Sequence, residues 1–393
     1  MFVKKIREKK SALVLVILVI AGLTIVSCKK PTIVTFTPPP PEEAPKPVWD
    51  TAALRGVWVT TTASAALNSR ANIKEMVTNC KVAGINNIFM VVYNNQRTMY
   101  PSTVMNRLIG RPILESMAGR DPLQECIEEA HAQGLKVHAW FEYGFAASFS
   151  ANGGAIVAAK PNWASRNSSG NLVVKNGFDW LNALHPEVQQ FMTDLFIEVA
   201  TKYNVDGLQG DDRMPAMPTE GGYDPYTVDL YKAENGGASP PANFANASWI
   251  NWRANKLTDY LRRLRNEVKA IKPTIEFTVS PSPFPFGLTE YLQDWPKWVD
   301  SGYVDAILPQ CYRYDINAYN ATVAQQKSLY RNPKVDFYPG VLLKVGPYVA
   351  SNVFLTEMIK TNRNNGFKGE CFFFYEGIRE SPSWFKNQYP FIK

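Results

Sequence analysis

The sequence predicts a (β/α)8 TIM barrel, a single α/β domain. Three observations point there. Eight short apolar runs alternate with seven helix-like stretches from Leu54 onward. The runs are apolar on consecutive residues, as strands buried on both faces are. The connections are also lopsided. The loops after runs two, three and four are long, near 94–120, 143–185 and 211–247, whereas those leading back into strands are short. In a barrel that asymmetry marks the C-terminal mouth as the working face.

The elements follow in order. The first strand is expected near 55–60, in Arg55-Gly56-Val57-Trp58-Val59-Thr60. A helix near 69–83 stops at Gly84, and the second strand follows near 87–93. A helix near 121–133 stops at Gly134 before the third strand near 136–142. The helix near 186–203 leads into the fourth strand, 205–210. The helix near 248–271 ends before Pro273, and the fifth strand runs near 275–280. A helix near 289–300 ends at Gly302 before the sixth strand, 304–310. Helices near 318–330 and 350–365 flank the seventh strand, 336–342, and Gly366 precedes the eighth, 369–375. Glycine and proline stops of this kind bound helices because neither residue continues one well. The alternative is an open doubly wound sheet, which usually carries a Gly-rich turn after its first strand. This first strand carries none.

The body is preceded by two other segments. Residues 1–27 have a basic start and an apolar run from Ala12 to Ala21, as a signal peptide has. The segment Ile25-Val26-Ser27-Cys28 resembles a bacterial lipobox, which makes Cys28 the expected lipidation site. Residues 28–50 form a Pro-rich tether that includes Pro38-Pro39-Pro40-Pro41. Residues 51–393 are the barrel. The expected location is the cell envelope, outside the cytoplasm, with a lipid anchor holding a soluble body on a membrane face.

The formal charge of +7 comes mostly from the leader. Without it, 37 basic residues stand against 34 acidic ones, and no long basic run remains. Nucleic acid is therefore a poor partner. Cys80, Cys126, Cys311 and Cys371 show no CxxC or Cys/His zinc spacing and read as buried thiols. Three histidines argue against a His-rich metal site, and no cofactor is expected, although carboxylates leave calcium open.

The chemistry concentrates at strand ends. Val205-Asp206-Gly207-Leu208-Gln209-Gly210 runs into Asp211-Asp212, and His138-Ala139-Trp140-Phe141 runs into Glu142. Side chains alternate along a strand, so Gln209 and Asp211 share one side. His138, Trp140 and Glu142 share another. If both sets face the barrel axis, Glu142 stands beside Asp211. Paired carboxyl groups among many aromatics suit an enzyme that cuts sugar chains. One protonates the leaving oxygen, and the other attacks carbon or activates water. Glu376 and Tyr375 after the eighth strand, and Gln310 and Tyr312 after the sixth, are further candidates. After the second strand, Tyr93, Asn95 and Arg97 could meet substrate, with Arg97 pairing the acids. Ser280 lacks the GxSxG turn of a serine hydrolase.

Several ordered motifs carry a family resemblance. They are Arg55-Gly56-Val57-Trp58, Tyr100-Pro101-Ser102, Arg120-Asp121-Pro122-Leu123, and Glu129-Ala130-His131 through Phe141. His185-Pro186-Glu187-Val188-Gln189, Asp206-Gly207, Asp211-Asp212 and Gly221 through Tyr226 follow. The series ends with Trp252-Arg253, Val279-Ser280-Pro281 and Phe372-Phe373-Phe374-Tyr375-Glu376. Over roughly 53–380 the chain resembles the glycosyl hydrolase-like family 10. The resemblance implies a barrel acting on a polysaccharide, with bacterial cell-wall glycan as substrate. The fourth strand also looks like that of family 13 glycoside hydrolases, which implies a nucleophile at Asp211. That pattern has Arg where this chain has Gln209, a strand-five acid where it has Ser280, and Phe where it has Gly210. The missing Phe implies a wider site floor. The expected catalytic set is Asp211, Asp212, Glu142 and Glu376. The expected substrate-binding set is Tyr93, Asn95, Arg97, His138, Trp140, Gln209, Gln310, Tyr312 and Tyr375. The alternative is a carbohydrate-binding lipoprotein without turnover.

Overall fold

The computed structural model describes residues 53–392. The leader, Cys28 and the tether lie outside them. The described residues form one compact unit. The expected strands form in order: β1 Arg55–Val59, β2 Asn87–Val91, β3 Lys136–Trp140, β4 Gly207–Gly210, β5 Glu276–Val279, β6 Ala306–Ile307 and β8 Glu370–Phe373. The seventh, β7, comes in two pieces, Asp336–Phe337 and Gly340–Leu342. Pro339 between them has no N–H to give the ladder.

That break explains the topology. All pairings of the large sheet are parallel, and β1 to β6 pair in sequence. The first piece of β7 pairs with β6, the second with β8, and β8 with β1. The Gly340 N–H also donates to Pro309 O at 2.8 Å, which carries the β6 side past the break. The sheet therefore closes on itself as a (β/α)8 barrel, and closure removes edges.

The predicted helices form as α1 Arg70–Val82, α2 Pro122–Ala132, α3 Pro186–Lys202, α4 Ala247–Ile271, then Ile316–Leu329 and Asn352–Asn364. Each of the first four starts on a side-chain cap: Ser69, Asp121, His185 and Asn246 accept from first-turn N–H groups. The helix expected near 289–300 is two short ones, Phe286–Tyr291 and Trp295–Asp300. Leu292 is left-handed there, with φ 61°, and Pro296 cannot continue a helix from before it. The long loops contain small elements that periodicity did not show. Among them are a three-stranded hairpin sheet between Ala146 and Trp180 and helices Thr103–Ile109 and Pro225–Glu234.

The barrel interior is filled by alternating side chains. Trp58 lies near Phe89, Trp140 and Phe373, with ring centroids 6.0–6.4 Å apart. Lower down, His138 stacks on Phe89 at 4.4 Å and sits opposite Gly207. A Cβ at Gly207 would come 2.1 Å from His138 Nδ1, so glycine makes room for the imidazole. The four cysteines of the described region are buried and unbridged. Among the described residues, no helix is long and apolar enough to cross a membrane.

Candidate active site

The ends of β1, β2, β3, β4, β6 and β8 surround a pocket of about 430 Å³ at the C-terminal mouth. Asp211, Asp212 and Glu142 all line it, with Trp140, Tyr143, Phe149, Phe178, Tyr312 and Phe373 as walls. Strand alternation brings them together. Trp140 pairs with Gln209 in register, so the next inward positions, Glu142 and Asp211, emerge on neighbouring strands.

Asp211 is the deepest acid, 1% exposed. Its Oδ2 accepts from Arg213 Nη2 at 2.9 Å. Its Oδ1 accepts from Ser280 Oγ at 3.1 Å and Gln310 Nε2 at 2.9 Å. Burial pushes its pKa well above the usual carboxylate range, Asp212 adds to the push, and Arg213 opposes it. Glu142 is also buried and also raised, first by burial. Its Oε2 accepts from Thr60 Oγ1 at 2.9 Å and Asn94 Nδ2 at 2.5 Å. Its Oε1 receives no hydrogen bond from the described residues. Asp212 is less buried and sits 3.0 Å from Arg213 Nη1.

One cation thus faces three acids. Arg213 pairs with the carboxylates of Asp211 and Asp212, its Nε donates to the main-chain carbonyl of Glu142 at 3.0 Å, and its charge acts on the Glu142 carboxyl through space. Its guanidinium lies over the Phe178 ring, 4.7 Å from the centroid, a cation–π contact that helps hold it at the wall. Negative charge on Asp212 or Glu142 opposes the ionisation of Asp211. Both carboxyls are raised, Asp211 the further of the two. Asp211 receives three donors, one of them cationic, which favour its charged form, and Glu142 receives two neutral ones on a single oxygen.

The structure brings Asp211, Asp212, Glu142, Asn95, Trp140, Gln310 and Tyr312 to one pocket. It places the other expected residues elsewhere. Glu376 sits in helix Tyr375–Glu380, bound to Ser64 Oγ at 2.6 Å and Arg379 Nη1 at 2.9 Å. Tyr375 is buried against α1, with its hydroxyl accepting from Asn79 Nδ2. Arg97 pairs with Glu115 at 2.8 Å, and Arg213 takes the role expected of it. Tyr93 turns into the core against Phe191. His138 is in the lower barrel layer, with Nε2 2.9 Å from Asn87 Oδ1. Gln209 is one layer below Asp211, where its Oε1 accepts from Trp58 Nε1 at 2.7 Å. Gly210 does not widen the floor. A Cβ there would lie 2.3 Å from Met214 O, so the glycine lets the fourth loop fold back over the strand.

Thr60 and Asn94 hold Glu142 and were not singled out from sequence. Ser280, weighed there only as a serine-hydrolase residue, holds Asp211, and Arg213, an expected ion-pair partner of Asp211 or Asp212, links the two. Thr60, Asn94 and Ser280 follow strand ends, the one signal that could have found them. Phe149, Phe178 and Tyr143 reach the site from the third loop, where no periodicity pointed to them.

Comparisons with known proteins bear on the family and the fold. A family model described as Glycosyl hydrolase-like 10 matches residues 53–347. Glycosyl hydrolase DigH of Escherichia coli (strain K12) is 30% identical over 355 residues, 77% of each chain. Glycosyl hydrolase YngK of Bacillus subtilis (strain 168) is 22% identical, covering 75% of this chain and 59% of that one. The glycoside hydrolase domain of PgaB (BpsB) from Bordetella bronchiseptica shares the fold. Its TM-score is 0.63 at 14% identity, over 84% of this chain and 97% of that one. The family match and the 30% relative together place this chain in the glycosyl hydrolase-like 10 family.

Proposed function

We propose that this mouth is a glycoside hydrolase site that cuts a polysaccharide, with bacterial cell-wall glycan as the substrate. One observation carries the reading: two buried carboxyl groups, both raised above their ordinary range, share one aromatic-walled pocket and one cation. Glu142, holding a proton on a free oxygen, protonates the leaving glycosidic oxygen. Asp211, held charged by Arg213, Ser280 and Gln310, attacks the sugar carbon or activates water. Asp212 adds negative charge beside them, which favours a positively charged sugar transition state. The names of the relatives, both glycosyl hydrolases, support the reaction class.

The test is turnover. Purified protein is incubated with intact peptidoglycan, stem-free glycan strands, and plant and algal polysaccharides, and new reducing ends are measured. One class should yield products, and the cell-wall strands are the class expected. If none does while a glycan is still retained, the protein is a carbohydrate-binding lipoprotein. Ser280, standing where a strand-five acid would, is the observation that favours this second reading. The anomeric form of the first product reports the geometry. Retention fits carboxyls about 5–5.5 Å apart and inversion about 6.5–9.5 Å.

We also propose that Cys28 is lipidated and holds the body at the cell envelope, outside the cytoplasm. Labelled palmitate should enter the parent protein and not Cys28→Ala. Equal labelling of both would overturn the anchor.

A further inference from the structure

Three exposed large aromatic side chains stand at one end of the body. Phe149 (50% exposed), Phe286 (52%) and Tyr314 (66%) all stand on segments that follow the C-terminal end of a strand. They therefore rim the mouth that holds the acids. Patches of this kind on a soluble body mark a ligand groove or an interface.

The rim has two sides. On one, the loop after β3 sets Phe149 edge-on to Phe178 at 5.3 Å and Phe178 edge-on to Tyr143 at 5.4 Å. These three rings line the pocket. On the other, the segments after β6 and β7 set Tyr314 edge-on to Tyr348 at 4.9 Å. Tyr314 is two residues beyond Tyr312, which lines the pocket too. Strands three and seven stand opposite each other in an eight-stranded barrel. The two aromatic groups therefore face each other across the mouth, with the acids on the side of the Phe149 group. Eight tilted strands at normal spacing make a barrel about 15 Å across, wider than one pyranose ring. An edge-to-face pair fixes a ring's tilt and leaves a face open. Such a face suits the C–H face of a sugar.

We infer that Tyr314 and Tyr348 form a distal sugar subsite, which holds the glycan several units away from the bond at Glu142 and Asp211. The chain crosses the mouth from the Phe149 side to the Tyr314 side, so an internal stretch of polymer is gripped. This inference rests on the glycosidase reading for its substrate class and extends that reading along the chain.

The experiment uses the full-length protein and size-fractionated stem-free glycan strands. In Tyr314→Ala, kcat/KM should fall roughly tenfold on long strands and stay unchanged on the shortest strand that is cut. Equal loss on both lengths, or no loss on long strands, overturns the subsite. Binding is measured separately in the Asp211→Asn background, where long strands should bind and the added Tyr314→Ala should weaken them by a similar factor. That arm decides the subsite even if no glycan is ever hydrolysed. A rim built for bilayers would behave differently. Tyr314→Ala in the Cys28→Ala protein would then reduce retention on phosphatidylglycerol vesicles and leave glycan binding untouched, which also overturns the proposal.

Discussion

The barrel has a hollow at each mouth, and the larger one is not the candidate site. The N-terminal hollow measures about 530 Å³ against about 430 Å³ at the C-terminal mouth. Both contain three acids. At the N-terminal mouth Glu276, Asp305 and Asp336 are matched by Arg55, Lys81 and Lys136. Glu276 pairs with Lys136 at 3.1 Å. Asp305 pairs with Lys269 at 2.6 Å and accepts from Phe277 N at 2.8 Å. At the C-terminal mouth three acids face Arg213, the one cation among the described lining residues. Balanced, satisfied charge makes a stable end, whereas unbalanced buried charge is costly and is kept where chemistry uses it. Charge balance, not volume, separates the two mouths.

The contrast breaks most sharply at Asp211. Asp211→Asn should keep the fold by circular dichroism and cut kcat/KM by about 10³-fold. Unchanged turnover would remove Asp211 from the mechanism. Stability should move the other way. Asp211 and Glu142 titrate above their ordinary range in the folded protein, first because they are buried. Stability from such raised acids is complete below the unfolded pKa and is lost as pH rises through the folded one. Asp211→Asn removes part of that loss, so its Tm at neutral pH should exceed the parent's by about 2 °C. The difference should close as pH falls toward about 4. Glu142→Gln comes next, at about 10² in kcat/KM. If Glu142 acts as the protonated acid, parent activity declines as pH rises through its raised pKa. The variant's residual activity should lack that decline, and a profile that keeps it would assign the proton elsewhere.

The barrel was legible because its signals are local. Apolar runs, caps and Gly or Pro stops recur at every βα unit, and they predicted the eight barrel strands; six of the seven expected helices formed as single helices, whereas loop helices such as Thr103–Ile109 and Pro225–Glu234 gave no such signal. Alternation then placed Glu142 beside Asp211. Other features depend on the chain's path beyond a strand. After Phe374 the chain turns at once into a helix, which carries Tyr375 and Glu376 outward to Asn79 and Arg379. In the hairpin Tyr93–Asn94/Arg97–Thr98, Asn95 and Gln96 are both left-handed, and Arg97 ends beside Glu115. His138 has the right parity and the wrong depth, because it pairs with Gly207 at the start of β4. Arg213 adjoins the acid pair in sequence, but only its ion pairs show that it serves both members.

A smaller effect is expected at Ser280. Its hydroxyl donates to Asp211 and lies 3.4 Å from Gly210 O, so it can turn between them as Asp211 gains or loses a proton. Ser280→Ala removes one donor to the ionised carboxylate, which raises the Asp211 pKa further. The acid limb of the kcat/KM profile should move to higher pH, and the plateau should fall about threefold. A lower plateau with an unmoved limb would make Ser280 a packing residue only.

The least effect is predicted at the other mouth. Glu276 pairs with Lys136, and both are well exposed, so their attraction is screened. The Glu276 carboxylate also lies 3.8 Å from His138 Nε2. That proximity does not charge the imidazole: burial lowers the His138 pKa to about 4, and its N–H is already bonded to Asn87. His138 is therefore neutral at working pH with or without Glu276. Glu276→Gln should leave kcat/KM within about twofold and cost under about 0.5 kcal/mol. A tenfold fall in kcat/KM with an unchanged Tm would mean that the N-terminal hollow takes part in turnover, and the division of labour between the mouths would fail.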